Sequence, residues 1–189
     1  MTSETKNRRR LLDLLFKESF RYSADGSFQL TSGKKTPYYI DCKKVSLDAE
    51  GATLIGREIF EEIRSLPVEG VGGMTLGADP IATAVSVISF LEKKPIQAFI
   101  VRKTPKAHGS KRQIEGNLQE GAKVVVVEDV VTTGGSTLRT LEALKNAGYV
   151  VLKVIALVDR KEGGREAIEK TGVHFESFFT INDFTRHIV

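Results

Sequence analysis

Val124 to Thr137 reads VVVVEDVVTTGGST, and the fold class follows from the order of residue types in it. Four successive β-branched valines suit a strand covered on both faces, as in a parallel sheet. Glu128 and Asp129 come next and are expected where that strand runs out into solvent. Thr132, Thr133, Gly134, Gly135, Ser136 and Thr137 then make a turn of hydroxyl residues and glycines. Leu138, Leu141 and Leu144 carry the spacing of a helix that runs to Ala147. Strand, acid pair, glycine-rich turn and helix start predict an α/β protein with a phosphate cradle at the carboxyl end of a parallel strand.

Backbone N–H groups of the turn, with a helix dipole behind them, can wrap a dianionic phosphate. The glycines let that backbone come close, because no Cβ intervenes. The carboxylates of Glu128 and Asp129 repel phosphate, so they must face sugar hydroxyls, a metal ion or a cationic transition state. A Walker loop needs a lysine after its glycines, and a dinucleotide fingerprint needs G-x-G-x-x-G; the stretch has neither.

The 189 residues suffice for one domain with a real core and are too few for two large ones. The balance of 28 basic to 24 acidic residues leaves +4, which suits a polyanionic small substrate and RNA equally well. The single Cys42 excludes an intrachain disulfide and fits a reducing cytoplasm. No apolar run approaches the length of a membrane span, and the polar start MTSETKNRRR is not expected to be a signal peptide. Arg8-Arg9-Arg10 is short and isolated and reads as a solvated helix start. Neither membrane nor nucleic acid is expected as a partner.

Taken in order, Arg8 to Phe20 has the period of an amphipathic helix, with Leu11, Leu12, Leu15 and Phe16 on its apolar side. Phe28 to Ile40, FQLTSGKKTPYYI, breaks that period, and Gly33 and Pro37 mark turns between short extended pieces. Leu47 to Arg64 is helical again through Ala52, Ile55, Ile59 and Ile63. Val68 to Gly73 is a short strand that enters the loop GGMTLGAD. Asp79-Pro80 is expected to cap and open a buried helix over Ile81 to Leu91.

Gln97 to Val101 is a further strand, followed from Arg102 to Asn117 by RKTPKAHGSKRQIEGN. With five Lys/Arg, one His, and only Ala107 and Ile114 apolar, this run is expected to be a mobile surface loop. Val150 to Val158 is the next buried strand. Arg160, just past its carboxyl end, faces the same crevice as the cradle, and its planar fork suits a carboxylate or an imide. Gly164 to Thr171 reads as a short helix and Phe175 to Phe179 as a last strand. No His/Cys cluster points to a transition metal.

VVVVEDVVTTGGST resembles the phosphoribosyl pyrophosphate (PRPP) signature of type I phosphoribosyltransferases. F-x-L-x-S-G followed by P-Y-Y-I-D, and R-K-x-x-K-x-H-G from Arg102, are similar to the hood and catalytic loop of the orotate phosphoribosyltransferases. The likeness runs from Phe28 to Arg160. It implies the type I phosphoribosyltransferase fold, a central parallel sheet of about five strands flanked by helices. A single domain over residues 1–189 would carry a hood built from about 20–45 and the C-terminal segment, with a mobile loop over 102–117.

The implied reaction moves the 5-phosphoribosyl group from PRPP to N1 of orotate, giving orotidine 5′-phosphate and pyrophosphate on the route to UMP. Mg²⁺ would be carried by the phosphates, with no protein metal site. The resemblance also implies a homodimer in which loop 102–117 closes over the neighbour's site. By the same match Glu128 and Asp129 hold the ribose hydroxyls. Val130, Val131, Thr132, Thr133, Gly134, Gly135 and Ser136 hold the 5′-phosphate, and Gly72 to Thr75, with Gly73 and Met74 between, cradle pyrophosphate. Arg102, Lys103, Lys106 and His108 are the catalytic positions. Thr132, Arg160 and the backbone at Tyr39 and Ile40 meet orotate. Some relatives carry a lysine where Thr31 stands and another near Leu76, so no PRPP role passes to those two residues. Two other readings remain: a phosphoribosyltransferase for another base, and an RNA-binding regulator that senses PRPP.

Overall fold

Successive side chains of a strand point to opposite faces. Along Lys123–Val131, Val124 and Val126 therefore enter one apolar layer while Val125 and Val127 enter another. The structure, a computed structural model, describes residues 3–26, 28–29, 35–104 and 113–186. Its first elements are helix α1 (Ser3–Leu14), a π-helical turn (Leu15–Ser19), β1 (Phe20–Tyr22), β2 (Phe28–Gln29), β3 (Lys35–Thr36) and β4 (Tyr38–Ile40). Then come α2 (Lys43–Ser46), α3 (Ala49–Ile63), β5 (Gly70–Met74), α4 (Ala78–Leu91), β6 (Gln97–Val101) and β7 (Ile114–Glu115). The chain closes with β8 (Lys123–Val131), α5 (Gly135–Asn146), β9 (Val150–Asp159), α6 (Gly164–Glu169), β10 (His174–Thr180) and α7 (Ile181–Thr185).

The central sheet runs β10-β9-β8-β5-β6-β7. Its first five strands are parallel, and β7 adds an antiparallel edge through the pairs Ile100↔Glu115 and Val101↔Ile114. Val125, Val127, Ile155 and Leu157 pack with the apolar stripes of α1, α3 and α4. Val124, Val126, Val154 and Ala156 pack with Leu141 and Leu144 of α5 and Ile168 of α6. Burial on both faces is why these strands read as unbroken apolar runs.

A small hood rises from two antiparallel ribbons, β1 with β4 and β2 with β3. It is anchored by Phe20, which stacks on Phe16 at 5.6 Å and on Phe184 of α7 at 5.5 Å. Within β5, Gly72 and Gly73 are forced by close approach. A Cβ on Gly72 would collide with the carbonyl oxygen of Phe99, and one on Gly73 with that of Val127.

The structure corrects several expectations. β8 does not end before the acid pair; it continues to Val131, pairing Val130↔Val158 and Val131↔Asp159. The helix from Ala78 starts ahead of Asp79, which is therefore no cap; its carboxylate Oδ2 accepts the Thr75 hydroxyl at 2.7 Å instead. The expected loop 102–117 is shorter than its charge run, because the Arg102 N–H donates to the Gln113 carbonyl at 2.8 Å and Ile114–Glu115 joins the sheet. β6's open edge supplies the partners that a charged sequence conceals.

Candidate active site

Strand alternation gives the two acids different supports, although their side chains still meet. Glu128 shares the face of Val124 and Val126, so it points toward the start of α5 and is only 6 % exposed. Its Oε2 accepts the Ser136 hydroxyl at 2.9 Å and the Thr137 hydroxyl at 3.4 Å. Burial first, and then the neighbouring Asp129 charge, push its carboxyl up to about 8 against the opposing pull of Ser136. At neutral pH Glu128 therefore keeps a proton.

Asp129 faces the other way. One oxygen, Oδ1, accepts the Val130 N–H at 2.8 Å and rests on Gly77, where a Cβ would collide with it. The other, Oδ2, lies 3.8 Å from Lys43 Nζ, which is 2.7 Å from Asp41 Oδ1. Partial burial pulls the Lys43 ammonium down, but the Asp41 bond and the Asp129 charge outweigh it and leave it raised. Cys42, between Asp41 and Lys43, is fully buried, and burial with the Asp129 charge drives its thiol well up, away from nucleophilic use.

The cradle follows from one backbone choice. Gly134 takes φ +81° to turn β8 into α5, and this turn packs on Gly164 at the start of α6. The first-turn N–H groups of α5 have no acceptor within the helix, which leaves them for an anion. The parallel turn after β5 is tied to the sheet by the Thr75 N–H, which donates to the Val101 carbonyl at 3.0 Å, and its Thr75–Leu76 peptide is cis. A cleft of about 410 Å³ opens there, lined by Thr75, Asp79, Ile100, Arg102, Lys103, Thr104 and Glu115. Arg102 leans on Glu115 at 3.4 Å, and Lys103 is exposed. Two expected catalytic residues thus share a cleft with Thr75 of the turn after β5. The other two, Lys106 and His108, lie outside the described residues, as does Thr31.

Arg160 continues the β8–β9 ladder, its N–H donating to the Val131 carbonyl at 2.9 Å, which sets it beside Thr132. The side chain is buried. Its Nε donates to Glu162 Oε1 at 3.0 Å, its Nη2 to Thr36 Oγ1 at 3.3 Å, and its guanidinium lies over the Tyr38 ring. Within β4, Tyr39 turns the opposite way, 44 % exposed and stacked on Phe28 at 5.9 Å, while Ile40 enters the core. The aromatic side chain beside Arg160 is therefore Tyr38. The period of two in Tyr38-Tyr39-Ile40 carried that signal. Lys43 and Glu162 were also missed, and only the tertiary fold reveals Lys43, since 86 residues of chain separate it from Asp129.

Comparison with known proteins places this geometry among relatives. The family model described as the phosphoribosyl transferase domain matches residues 78–185. The orotate phosphoribosyltransferase of Nostoc sp. (strain PCC 7120) is 52% identical over 177 residues, 93% of this chain and 84% of that one. That of Aquifex aeolicus (strain VF5) is 46% identical over 176 residues, covering 93% and 96%. Among solved structures, the Mycobacterium tuberculosis H37Rv orotate phosphoribosyltransferase in complex with PRPP aligns at TM-score 0.76 and 34% identity, over 95% of this chain and 92% of that one. Its complex with Fe(III) dicitrate aligns at TM-score 0.82 and 39% identity, over 94% and 98%.

Proposed function

The chain belongs to the orotate phosphoribosyltransferase family, and from that premise we propose how its own residues divide the reaction between them. The reaction transfers the 5-phosphoribosyl group of PRPP to N1 of orotate. The C1–O bond to pyrophosphate breaks, the C1–N1 bond forms, and orotidine 5′-phosphate and pyrophosphate leave. Orotate N1 is acidic enough to need little base, so the difficulty lies in the oxocarbenium-like state that forms as pyrophosphate departs.

Asp129, the member of the pair that rests on the turn after β5, accepts the ribose hydroxyls. Glu128 ties β8 to the α5 turn through Ser136 and Thr137. The turn from Val130 to Ser136 takes the 5′-phosphate, and Gly73, Met74 and Thr75 take pyrophosphate. Arg102, Lys103, Lys106 and His108 neutralise the leaving charge; one such preorganised contact is typically worth ~10²–10³ in rate. Arg160, Thr132 and the backbone of Tyr39 and Ile40 hold orotate, with Tyr38 behind the guanidinium. The observation that carries this division is the different support of each acid in the pair. One carboxyl is bound into the phosphate turn, and the other rests on the turn after β5.

Among the described residues no group of three or more His, Cys, Asp or Glu could hold a metal ion. Magnesium would travel with the substrate, on phosphate oxygens and water, where it would offset leaving-group charge. A homodimer that shares loop 102–117 is supported by the exposed strip Val87, Phe90 and Leu91 on α4, apolar surface that a second copy can bury. Among the described residues no helix is long and apolar enough to cross a membrane, and the buried thiol of Cys42 supports a cytoplasmic setting. Exposed Arg10, Arg57 and Arg64 are each paired with a glutamate, which works against a basic face for RNA.

The test is pyrophosphate release from Mg·PRPP with orotate, uracil, xanthine, hypoxanthine or adenine as acceptor. Release that requires orotate and yields orotidine 5′-phosphate is expected. Release with another base in its place overturns the reading.

A further inference from the structure

The segment that follows P-Y-Y-I-D approaches the acid pair from the hood. β4 ends at Ile40 and α2 begins at Lys43, with Asp41 and Cys42 making the corner. The same segment touches both halves of the site, since Tyr38 covers Arg160 while Lys43 reaches Asp129. Three things fix the Asp129 carboxylate: the Val130 N–H on Oδ1, the wall at Gly77, and the Lys43 ammonium off Oδ2. The ammonium is itself tethered by Asp41 at 2.7 Å, so it is held in place before any ligand arrives.

The charges around Asp129 show what the cation does. Glu128 stands next to it on β8, Cys42 and Asp41 face it from the corner, and Tyr39 lies close enough to act on Lys43. The nearest acid on α4, Asp79, turns its Oδ2 to Thr75. Among the described residues Lys43 is the cation that the salt bridges place beside Asp129, so its removal would leave that carboxylate among acids and a thiol with nothing to hold its Oδ2.

We propose that Lys43 is a positioning residue of this site: tethered by Asp41, its ammonium holds the Asp129 carboxylate in place and aimed at the ribose hydroxyls of PRPP. The inference rests on the ribose role given to Asp129 above. An ammonium there acts through Asp129 and leaves the orotate half untouched, which gives it a distinct kinetic signature.

The experiment compares Lys43→Gln, Lys43→Arg and Asp129→Asn in the full chain, with Mg·PRPP binding by calorimetry, KM for each substrate, and melting. Lys43→Gln should weaken PRPP binding about tenfold, a loss of the size of one charge-assisted contact. It should leave the orotate KM and the melting temperature nearly unchanged. Lys43→Arg should restore most of the PRPP affinity. Lys43→Gln that binds PRPP like the wild type, or that loses orotate affinity to the same extent, overturns the role of Lys43. If Asp129→Asn has meanwhile lost PRPP binding, the ribose role still stands. Undiminished PRPP binding by Asp129→Asn removes the ribose role itself, and this inference with it.

Discussion

The guanidinium carbon of Arg160 lies 5.1 Å from the centroid of the Tyr38 ring. One residue follows a central strand and the other belongs to the hood, so the contact joins the two parts of the fold. Arg160 also holds Glu162 and Thr36, and it is buried among them. It is therefore part of the hood joint as well as the fork proposed above for orotate.

Arg160→Lys keeps the charge and removes the fork. The orotate KM should rise about 10- to 100-fold, because a bidentate polar edge loses one of its bonds in a buried setting. The PRPP KM should stay within about threefold, since the residue's contacts are on the ring side. Calorimetry on both ligands checks this, and equal losses would make Arg160 a purely structural residue.

Glu128 gives a pH signature. Its carboxyl is held up at about 8 in the folded chain against an ordinary value of 4.5, so the folded state keeps a proton that the unfolded state has released. The stability this provides is full below the unfolded value and is lost as pH rises through the folded one. Between pH 5.5 and 8.5, the unfolding free energy of the wild type should therefore fall relative to Glu128→Gln, by at most ~1.4 kcal/mol per pH unit. Glutamine is neutral throughout and can still accept the Ser136 and Thr137 hydroxyls. Urea melts across that range decide it, and a pH-independent difference would show that burial does not hold the proton.

Asp129→Asn should lower kcat/KM for PRPP by ~10²–10³, the usual cost of one preorganised polar contact. Near-ultraviolet circular dichroism should not change, because the amide can still accept the Val130 N–H. Full activity in a folded Asp129→Asn protein would end its assignment to the ribose.

Assembly is tested by mixing two defective chains. Lys103→Ala lacks the loop charge and Asp129→Asn lacks the ribose acid, and each should be nearly inactive alone. In a hybrid dimer with a shared loop, the intact loop of one chain covers the intact cradle of the other. One complete site per hybrid should return activity well above either parent. Co-purification of tagged chains confirms that hybrids form; hybrids without recovered activity would place the loop over its own chain's site.

Much of this site was legible because its signals are local. Gln97–Val101 is a strand at both expected ends, since an apolar pentapeptide between turns has few other options. The turn between β8 and α5 was legible because glycines and hydroxyls follow a valine run there. The placement of Arg160 was legible because it follows a strand of the same sheet. Even the burial of Glu128 was available, since the valine alternation extends to it. What stayed hidden depends on partners remote in sequence. Ile114–Glu115 becomes a strand only because β6 has an open edge, and Lys43 matters only because α2 folds back to Asp129. Asp79 looked like a cap until the turn before it offered Thr75 as a donor.

The glycines of β5 bear on how any mutational map of this protein is interpreted. A methyl group at Gly73 would strike the backbone oxygen of Val127 and the Cβ of Ala78, and neither is a flexible side-chain tip that can swing aside. Alanine at that position wedges the central strand away from its neighbour and lifts the start of α4. An alanine scan would score it as inactive, and the loss would be credited wholly to the pyrophosphate contact although packing alone accounts for it. Melting behaviour separates the two causes: a pure contact loss lowers turnover at an unchanged melting temperature, whereas Gly73→Ala should lower both together.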